Sequence, residues 1–122
     1  MTPLPGDALV VRGGLNMPEN FAQGSGVSIG SDGALQDVSV NAGAGQSVEA
    51  LTAPNAQTGY PGILNNQVGT TTVGAIRARG GDVVPSPTPT NPHHATLSGL
   101  TPEQASELFR PTIPNPSKRG RK

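Results

Sequence analysis

The chain has 122 residues, the length of one small domain, and its seventeen glycines and thirteen prolines approach the composition of disordered sequence. Eight basic residues balance eight acidic ones, which argues against a strong nonspecific nucleic-acid binder, although four of the basic residues lie in the last five positions and could contact phosphate. No cysteine is present, which excludes a disulfide framework, a thiolate nucleophile and a cysteine-based metal site.

Short periodic apolar runs nevertheless predict a folded domain, and the first of them lies near the N-terminus. The β-branched run at 8–11 predicts a strand that ends at Arg12, just before two glycines. A short helix is predicted over 17–22, with Asn16 as its N-cap and proline in its first turn. Arg12 is therefore expected at the end of the first strand.

A hairpin is the next predicted element. Segments 26–30 and 34–40 alternate apolar and polar residues, and the Ser-Asp-Gly sequence at 31–33 predicts the turn between them. Ser39 is flanked by two valines, so it faces away from the core if the valines face the core.

The middle of the chain has weaker signals. Residues 46–51 predict one or two helical turns, and 52–67 predict a loop of a length that is often functional or mobile. The apolar spacing over 70–79 predicts a helix capped by one of its first two threonines, and 82–84 predict a brief strand.

The last third begins with alternating prolines at 85–92, which predict a rigid polyproline II spacer. A short strand is predicted over 94–97. Thr101, the following proline and Gln104 form a capping-box pattern, which predicts a helix through Phe109.

These elements predict an α+β domain with a small antiparallel sheet of four or five short strands, three or four short helices and long Pro/Gly-rich loops. We expect residues 1–116 to form one domain, extended or disordered after Pro111, and 117–122 to form a basic C-terminal tail. No apolar run of about 18 residues is present, and no basic region precedes an apolar stretch at the N-terminus. We therefore expect neither a membrane-spanning segment nor an export signal.

Both histidines are adjacent, at His93 and His94. Neighbours on a strand point to opposite faces, so the pair does not predict a metal site. Strand alternation places His94 on one face with Thr96 and Ser98, and histidine is the side chain best suited to proton transfer near neutral pH. A one-residue slip would exchange the roles of the two histidines.

Two interpretations of His94 and Arg12 remain open. In the first they catalyse RNA transesterification, with His94 as acid or base and Arg12 neutralising phosphate charge. In the second they are structural: His94 hydrogen-bonds the neighbouring loop and Arg12 pairs with a carboxylate.

Arg12 and Ser39 also look like the Arg and Ser parts of the Arg-Ser-Glu arrangement of ADP-ribosyltransferases. That resemblance implies an arginine that holds NAD phosphate and a serine that braces the site. The sequence departs from the family because it has no Glu-x-Glu motif, and all four of its glutamates fall in predicted helices: Glu19, Glu49, Glu103 and Glu107. In divergent members a histidine substitutes, a role open to His94.

Several stretches together resemble the C-terminal toxin domains of bacterial polymorphic toxins, which end Rhs-repeat and contact-dependent inhibition proteins. These stretches are residues 11–14, 26–29, 38–41, 68–73 and 91–109. The resemblance implies a domain released from a larger carrier protein, secreted or delivered into the cytoplasm of a target bacterium, and neutralised in the producer by a cognate immunity protein. Domains of this size in such systems are often ribonucleases.

The leading prediction is therefore an interbacterial toxin that cleaves RNA without a metal or another cofactor. His94 and Arg12 would be its main catalytic residues, supported by Ser39, Thr96 and Ser98. The alternatives are an ADP-ribosyltransferase or NAD-consuming toxin that uses Arg12 and Ser39 with NAD, and a non-catalytic binding module.

Overall fold

A computed structural model describes residues 4–23 and 27–117, and it confirms the predicted α+β class. Within these residues the sheet is antiparallel and curled, and it has seven strands, more than the four or five predicted. The strands are β1 (Leu9–Gly13), β2 (Val27–Ile29), β3 (Leu35–Gly43), β4 (Gln67–Thr72), β5 (Asp82–Pro85), β6 (His94–Ser98) and β7 (Ile113–Pro114). The helices are α1 (Pro18–Gln23), α2 (Val48–Thr52), α3 (Val73–Ala78) and α4 (Pro102–Leu108).

None of the helices in this described part is long and apolar enough to cross a bilayer. Two of the predicted features lie outside the described residues: Gly26 at the start of the hairpin, and the basic tail from Lys118 onward.

Two strands, β1 and β2, pair with different parts of one edge of the central strand β3. Six strands follow the order β5-β6-β3-β1-β4-β7, and β2 pairs with β3 on the same side as β1. β2 pairs with residues 35–38 of β3, whereas β1 pairs with residues 41–43. Beyond Val11, β1 pairs with β4 only, so Arg12 lies where β1 separates from β3. We call this point the strand fork.

Both faces of the sheet bury apolar side chains. Val10 belongs to the larger cluster with Phe21, whereas Val11 belongs to a smaller cluster with Leu51 and Val68, and all five are completely buried. The division follows from the period of two along a strand, which sends adjacent side chains to opposite faces. Each such burial stabilises the fold by roughly 1.5–3 kcal/mol.

Two predictions from local sequence signals are confirmed. The hairpin is present as β2 and β3, with Gly33 at a φ of +83° and Asp32 Oδ1 accepting a turn hydrogen bond of 3.0 Å from a backbone N–H. The capping box of α4 is complete: Thr101 Oγ1 accepts from the backbone N–H of Gln104 at 3.2 Å, and Gln104 Oε1 accepts from that of Thr101 at 3.0 Å.

The predicted helix over 70–79 is wrong at its start. Thr70 to Thr72 belong to β4, and α3 begins at Val73. The N-cap is Thr72, whose Oγ1 accepts from the backbone N–H of Ala75 at 3.2 Å, and neither preceding threonine takes that role. Strand propensity of the β-branched threonines and pairing with β1 outweigh the helical spacing here.

Asn16 is not the N-cap that the sequence predicted. Helix α1 begins two residues later at Pro18, and Asn16 has a backbone φ of +56°. Its Nδ2 donates to the carbonyl oxygens of Arg12 and Gly14, each at 3.1 Å. Asparagine tolerates the left-handed conformation, and here its amide provides a hydrogen-bond donor for two carbonyl oxygens of the bend that follows β1.

The segment after Pro111 is extended, which is one of the two states that the sequence predicted, and it pairs with the sheet. β7 pairs with β4, and the buried Asn115 donates through Nδ2 to the carbonyl oxygens of Ile63 (2.7 Å) and Asn65 (2.9 Å). These bonds anchor residues 53–66, which we call the cleft loop.

Candidate functional site

An open cleft of about 460 Å³ lies at the strand fork. Its walls come from β1, β3, β6 and the cleft loop, and three of the predicted site residues line it together: Arg12, Ser39 and His94. The strand order explains why these three residues line the same cleft, because β1 and β6 flank β3 on opposite sides. Residues that are distant in sequence therefore line one cleft, Ser39 and His94 on the Val11 side of the sheet and Arg12 with its guanidinium on the Phe21 side.

Arg12 is a partly buried cation. Its guanidinium carbon lies 4.9 Å from the centroid of the Phe21 ring, a cation–π contact, and its Nε is buried without a hydrogen bond within the described residues. The ion pairs of the described part join Arg77 to Asp82 and Arg79 to Glu107.

This environment makes Arg12 suited to bind an anion. Burial lowers the pKa of Arg12 because desolvation disfavours the charged form, although a guanidinium stays protonated in proteins. Burying a charge without a partner is costly. A phosphate oxygen bound by the guanidinium would relieve that cost.

Ser39 and Asn41 extend from the same face of β3. The register places Ser39 opposite Thr96 and Asn41 opposite His94 on β6, and Val11 of β1 lies opposite Asn41 on the other side. Side chains at directly opposite positions have Cβ atoms roughly 4.5–5.5 Å apart. Two pairs of polar residues, Ser39 with Thr96 and Asn41 with His94, therefore lie side by side on β3 and β6 next to the strand fork.

His94 is oriented by the residue that follows β5. Its Nδ1 lies 3.0 Å from the carbonyl oxygen of Ser86 and 2.9 Å from Ser86 Oγ. A carbonyl oxygen can only accept, so Nδ1 carries the proton and donates it to Ser86. In the neutral ring Nε2 is then the basic nitrogen, and within the described residues it makes no hydrogen bond.

The other predicted residues lie away from the cleft. Thr96 shares the face of His94, and its Oγ1 is 2.8 Å from Ser86 Oγ, so Ser86 contacts both residues. Ser98 lies at the far end of β6, opposite Asp82. His93 lines a second cavity of about 260 Å³.

Sequence reasoning missed an amide and phenol network in the cleft. Asn91 Nδ2 donates to Asn41 Oδ1 at 2.8 Å, and Asn41 Nδ2 donates to the carbonyl oxygen of Leu51 at 2.7 Å and to the Tyr60 hydroxyl at 3.0 Å. One signal was available, since Tyr60 is the only tyrosine and lies in the long loop that the sequence marked as functional or mobile.

No aspartate or glutamate is among the described residues that line the cleft. Each of the four glutamates lies in a helix, as the sequence predicted: Glu19 in α1, Glu49 in α2, Glu103 and Glu107 in α4. Within the described ranges, no group of three or more histidine, aspartate or glutamate residues is arranged to hold a metal ion.

In comparisons with known proteins, no family model, curated protein or solved structure matched the chain. The chemistry of the cleft must therefore be argued from its own residues.

Proposed function

We propose that this chain is an interbacterial toxin domain that cleaves RNA by transesterification without a metal ion or other cofactor. One observation carries the proposal: a single cleft is lined both by Arg12, which lacks a carboxylate partner in the described residues, and by His94, whose Nδ1 is held by Ser86. A cation for phosphate and a base for a hydroxyl are the groups that RNA transesterification needs first.

In the proposed reaction, His94 Nε2 takes the proton of a ribose 2′-hydroxyl. The 2′-oxygen then attacks the adjacent phosphorus, and negative charge grows on the nonbridging phosphate oxygens. The Arg12 guanidinium binds those oxygens more strongly as their charge increases, which lowers the barrier. Ser39 Oγ lines the same cleft and donates a hydrogen bond to the phosphate.

The contact with Ser86 supports His94 as the base. It fixes the ring so that Nε2 is the proton acceptor, and it becomes a charge-assisted hydrogen bond when the imidazolium forms. Orientation of a catalytic histidine through Nδ1–H is the role that the third residue plays in hydrolase triads.

A second candidate function uses NAD. Arg12 and Ser39 line one cleft, as an ADP-ribosyltransferase or NAD-consuming toxin would require for the NAD phosphates and the serine that braces the site. The absence of a carboxylate among the described lining residues favours RNA cleavage over this alternative, because the Arg-Ser-Glu arrangement would then have only His94 in place of its glutamate.

The setting of the toxin follows from the resemblance to polymorphic toxins. Under this proposal the domain is released from a larger carrier, acts in the cytoplasm of a target bacterium and is neutralised in the producer by an immunity protein. RNA is its substrate, and the immunity protein would act by covering the cleft.

The experiment incubates the purified chain with total bacterial RNA and follows fragmentation, while growth and NAD are followed after induction in a bacterial host. The variants are His94→Ala and Arg12→Ala. Their matched controls are His93→Ala, which alters the second cavity, and Arg79→Ala, which alters an exposed ion pair.

We expect RNA fragmentation and growth arrest from the wild type and both controls. We expect each cleft variant to lose at least about 100-fold in cleavage rate, the usual contribution of one acid–base group or of one group that stabilises transition-state charge. Intact RNA with falling NAD would transfer the assignment to NAD chemistry. Normal growth with a folded protein and intact RNA would leave the non-catalytic binding module as the better explanation.

A further inference from the structure

We infer that Tyr60 is the general acid that protonates the leaving 5′-oxygen in the cleft. The inference rests on the proposed ribonuclease function, in which His94 is the base and the leaving 5′-oxygen still needs a proton donor. Tyr60 lines the cleft together with His94, and it also lines the second cavity.

The hydrogen bonds around Asn41 determine what the Tyr60 hydroxyl does. Asn41 Oδ1 accepts from Asn91 Nδ2, which fixes the orientation of the Asn41 amide. Its Nδ2 then has two protons, of which one is donated to the Leu51 carbonyl oxygen and the other to the Tyr60 hydroxyl oxygen. The hydroxyl is therefore an acceptor in this contact, and its own proton remains available to donate.

The position of Tyr60 relative to the base is also suitable. His94 is the cross-strand partner of Asn41, and the Tyr60 hydroxyl lies 3.0 Å from Asn41 Nδ2. Both proton-transfer groups thus adjoin one side chain. The cleft loop holds Tyr60 in place through its bridge to Asn55, whose N–H donates to the Tyr60 carbonyl oxygen at 2.8 Å.

The step balances as follows. His94 Nε2 takes the 2′-hydroxyl proton, the bond from the 2′-oxygen to phosphorus forms, and the bond from phosphorus to the 5′-oxygen breaks. The 5′-oxygen receives the Tyr60 proton, which gives a 2′,3′-cyclic phosphate and a free 5′-hydroxyl. Water then returns the proton from the His94 imidazolium to the Tyr60 phenolate, so the protein ends unchanged.

Two substrates that differ only in their leaving group test this role. One is the dinucleotide uridylyl-(3′→5′)-adenosine, whose alkoxide must be protonated as it leaves. The other is uridine 3′-(4-nitrophenyl phosphate), whose leaving group departs as a stable anion. Tyr60→Phe keeps the ring and removes only the hydroxyl, and its melting temperature verifies that it is folded.

For Tyr60→Phe we expect a loss of about 100-fold in kcat on the dinucleotide and less than about threefold on the nitrophenyl ester. His94→Ala is the matched control and loses activity on both substrates, because both need the base. Tyr60→His, which restores a proton donor on a ring, should recover part of the dinucleotide rate, and it serves as the second variant if Tyr60→Phe does not fold.

The outcomes separate the two proposals. A wild type that cleaves neither substrate overturns the ribonuclease function and the role of Tyr60 with it. A wild type that cleaves both, with a Tyr60→Phe rate that is unchanged or equally reduced on the two substrates, overturns the role of Tyr60 alone.

Discussion

Nδ2 of the buried Asn91 donates to Oδ1 of the buried Asn41 at 2.8 Å and so ties the segment before β6 to the central strand. Asn91→Ala leaves Asn41 Oδ1 without this donor and also removes the acceptor of the His93 backbone N–H. We expect the free energy of unfolding to fall by about 1–3 kcal/mol, the cost of an unsatisfied buried polar group. Urea denaturation measures the change.

Asn66→Ala is the control for this prediction, since its side chain is exposed in the cleft loop. It should change the free energy of unfolding by less than about 0.5 kcal/mol. Equal midpoints and slopes for the wild type and Asn91→Ala would show that the amide pair contributes no stability.

Arg12 should favour binding at the expense of stability. Because burial lowers its pKa, its charge is held in the fold at a cost, and Arg12→Met replaces it with an apolar chain of similar length. We expect the melting temperature of Arg12→Met without ligand to equal or exceed that of the wild type. Uridine 3′-monophosphate should raise the melting temperature of the wild type but not of Arg12→Met, by an amount equivalent to about 2.7 kcal/mol at 100 times Kd.

Arg79→Met changes an exposed arginine and should respond to the nucleotide like the wild type. If Arg12→Met were stabilised by the nucleotide as strongly as this control, Arg12 would not be a phosphate ligand.

The ionisation of Asp82 should make the stability of the fold depend slightly on pH. The Arg77 hydrogen bond, followed by the backbone N–H of Val83, lowers the pKa of Asp82 in the folded state. The stabilisation is therefore complete above the ordinary pKa of about 3.9 and is lost as the pH falls through the lower folded value. Because the pair is exposed, we expect Asp82→Asn to cost less than about 1 kcal/mol at pH 7.

Thermal melts of the wild type and Asp82→Asn across pH 2 to 7 would test this, with Asp37→Asn at an exposed position of β3 as the control. The wild type and Asp82→Asn should converge only in the acidic range. A constant difference at every pH would assign the effect to packing rather than to ionisation.

Gly69 allows β4 to approach helix α4 closely. A Cβ at this position would clash with the carbonyl oxygen of Phe109 and would lie 2.8 Å from Phe109 Cβ and 2.7 Å from Asn16 Nδ2. Gly69→Ala should lower the free energy of unfolding by about 3 kcal/mol or more, since a backbone atom must move. Gly6→Ala is the control, because its Cβ would make only an ordinary contact of 3.7 Å with Gly74. Similar thermal melts for the two variants would contradict the close approach.

Elements with local signals were predictable from the sequence. The capping box of Thr101 and Gln104 determines where α4 begins without help from the rest of the fold. The alternation in β6 likewise places His94 and Thr96 on one face, with Ala95 buried on the other.

Features that depend on distant partners were not predictable. Thr70 to Thr72 extend as a strand because β1 lies beside them, and β7 exists because β4 offers an edge to it. The link between Tyr60 and Asn41 spans nineteen residues and needs the folded cleft loop. That Arg12 and His94 line one cleft depends on strand order, and their catalytic role remains a prediction.

The two sides of the cleft differ in how freely their sequence can change. Ser39 lies in β3, which has neighbours on both sides, so most substitutions there would disturb the sheet. The opposite wall belongs to the cleft loop, which is attached at Ile63, by its N–H to the Thr52 carbonyl oxygen and by its own carbonyl oxygen to Asn115. The sequence of the cleft loop, and with it the shape of one wall of the cleft, can therefore change while the sheet and the residues that it positions stay the same.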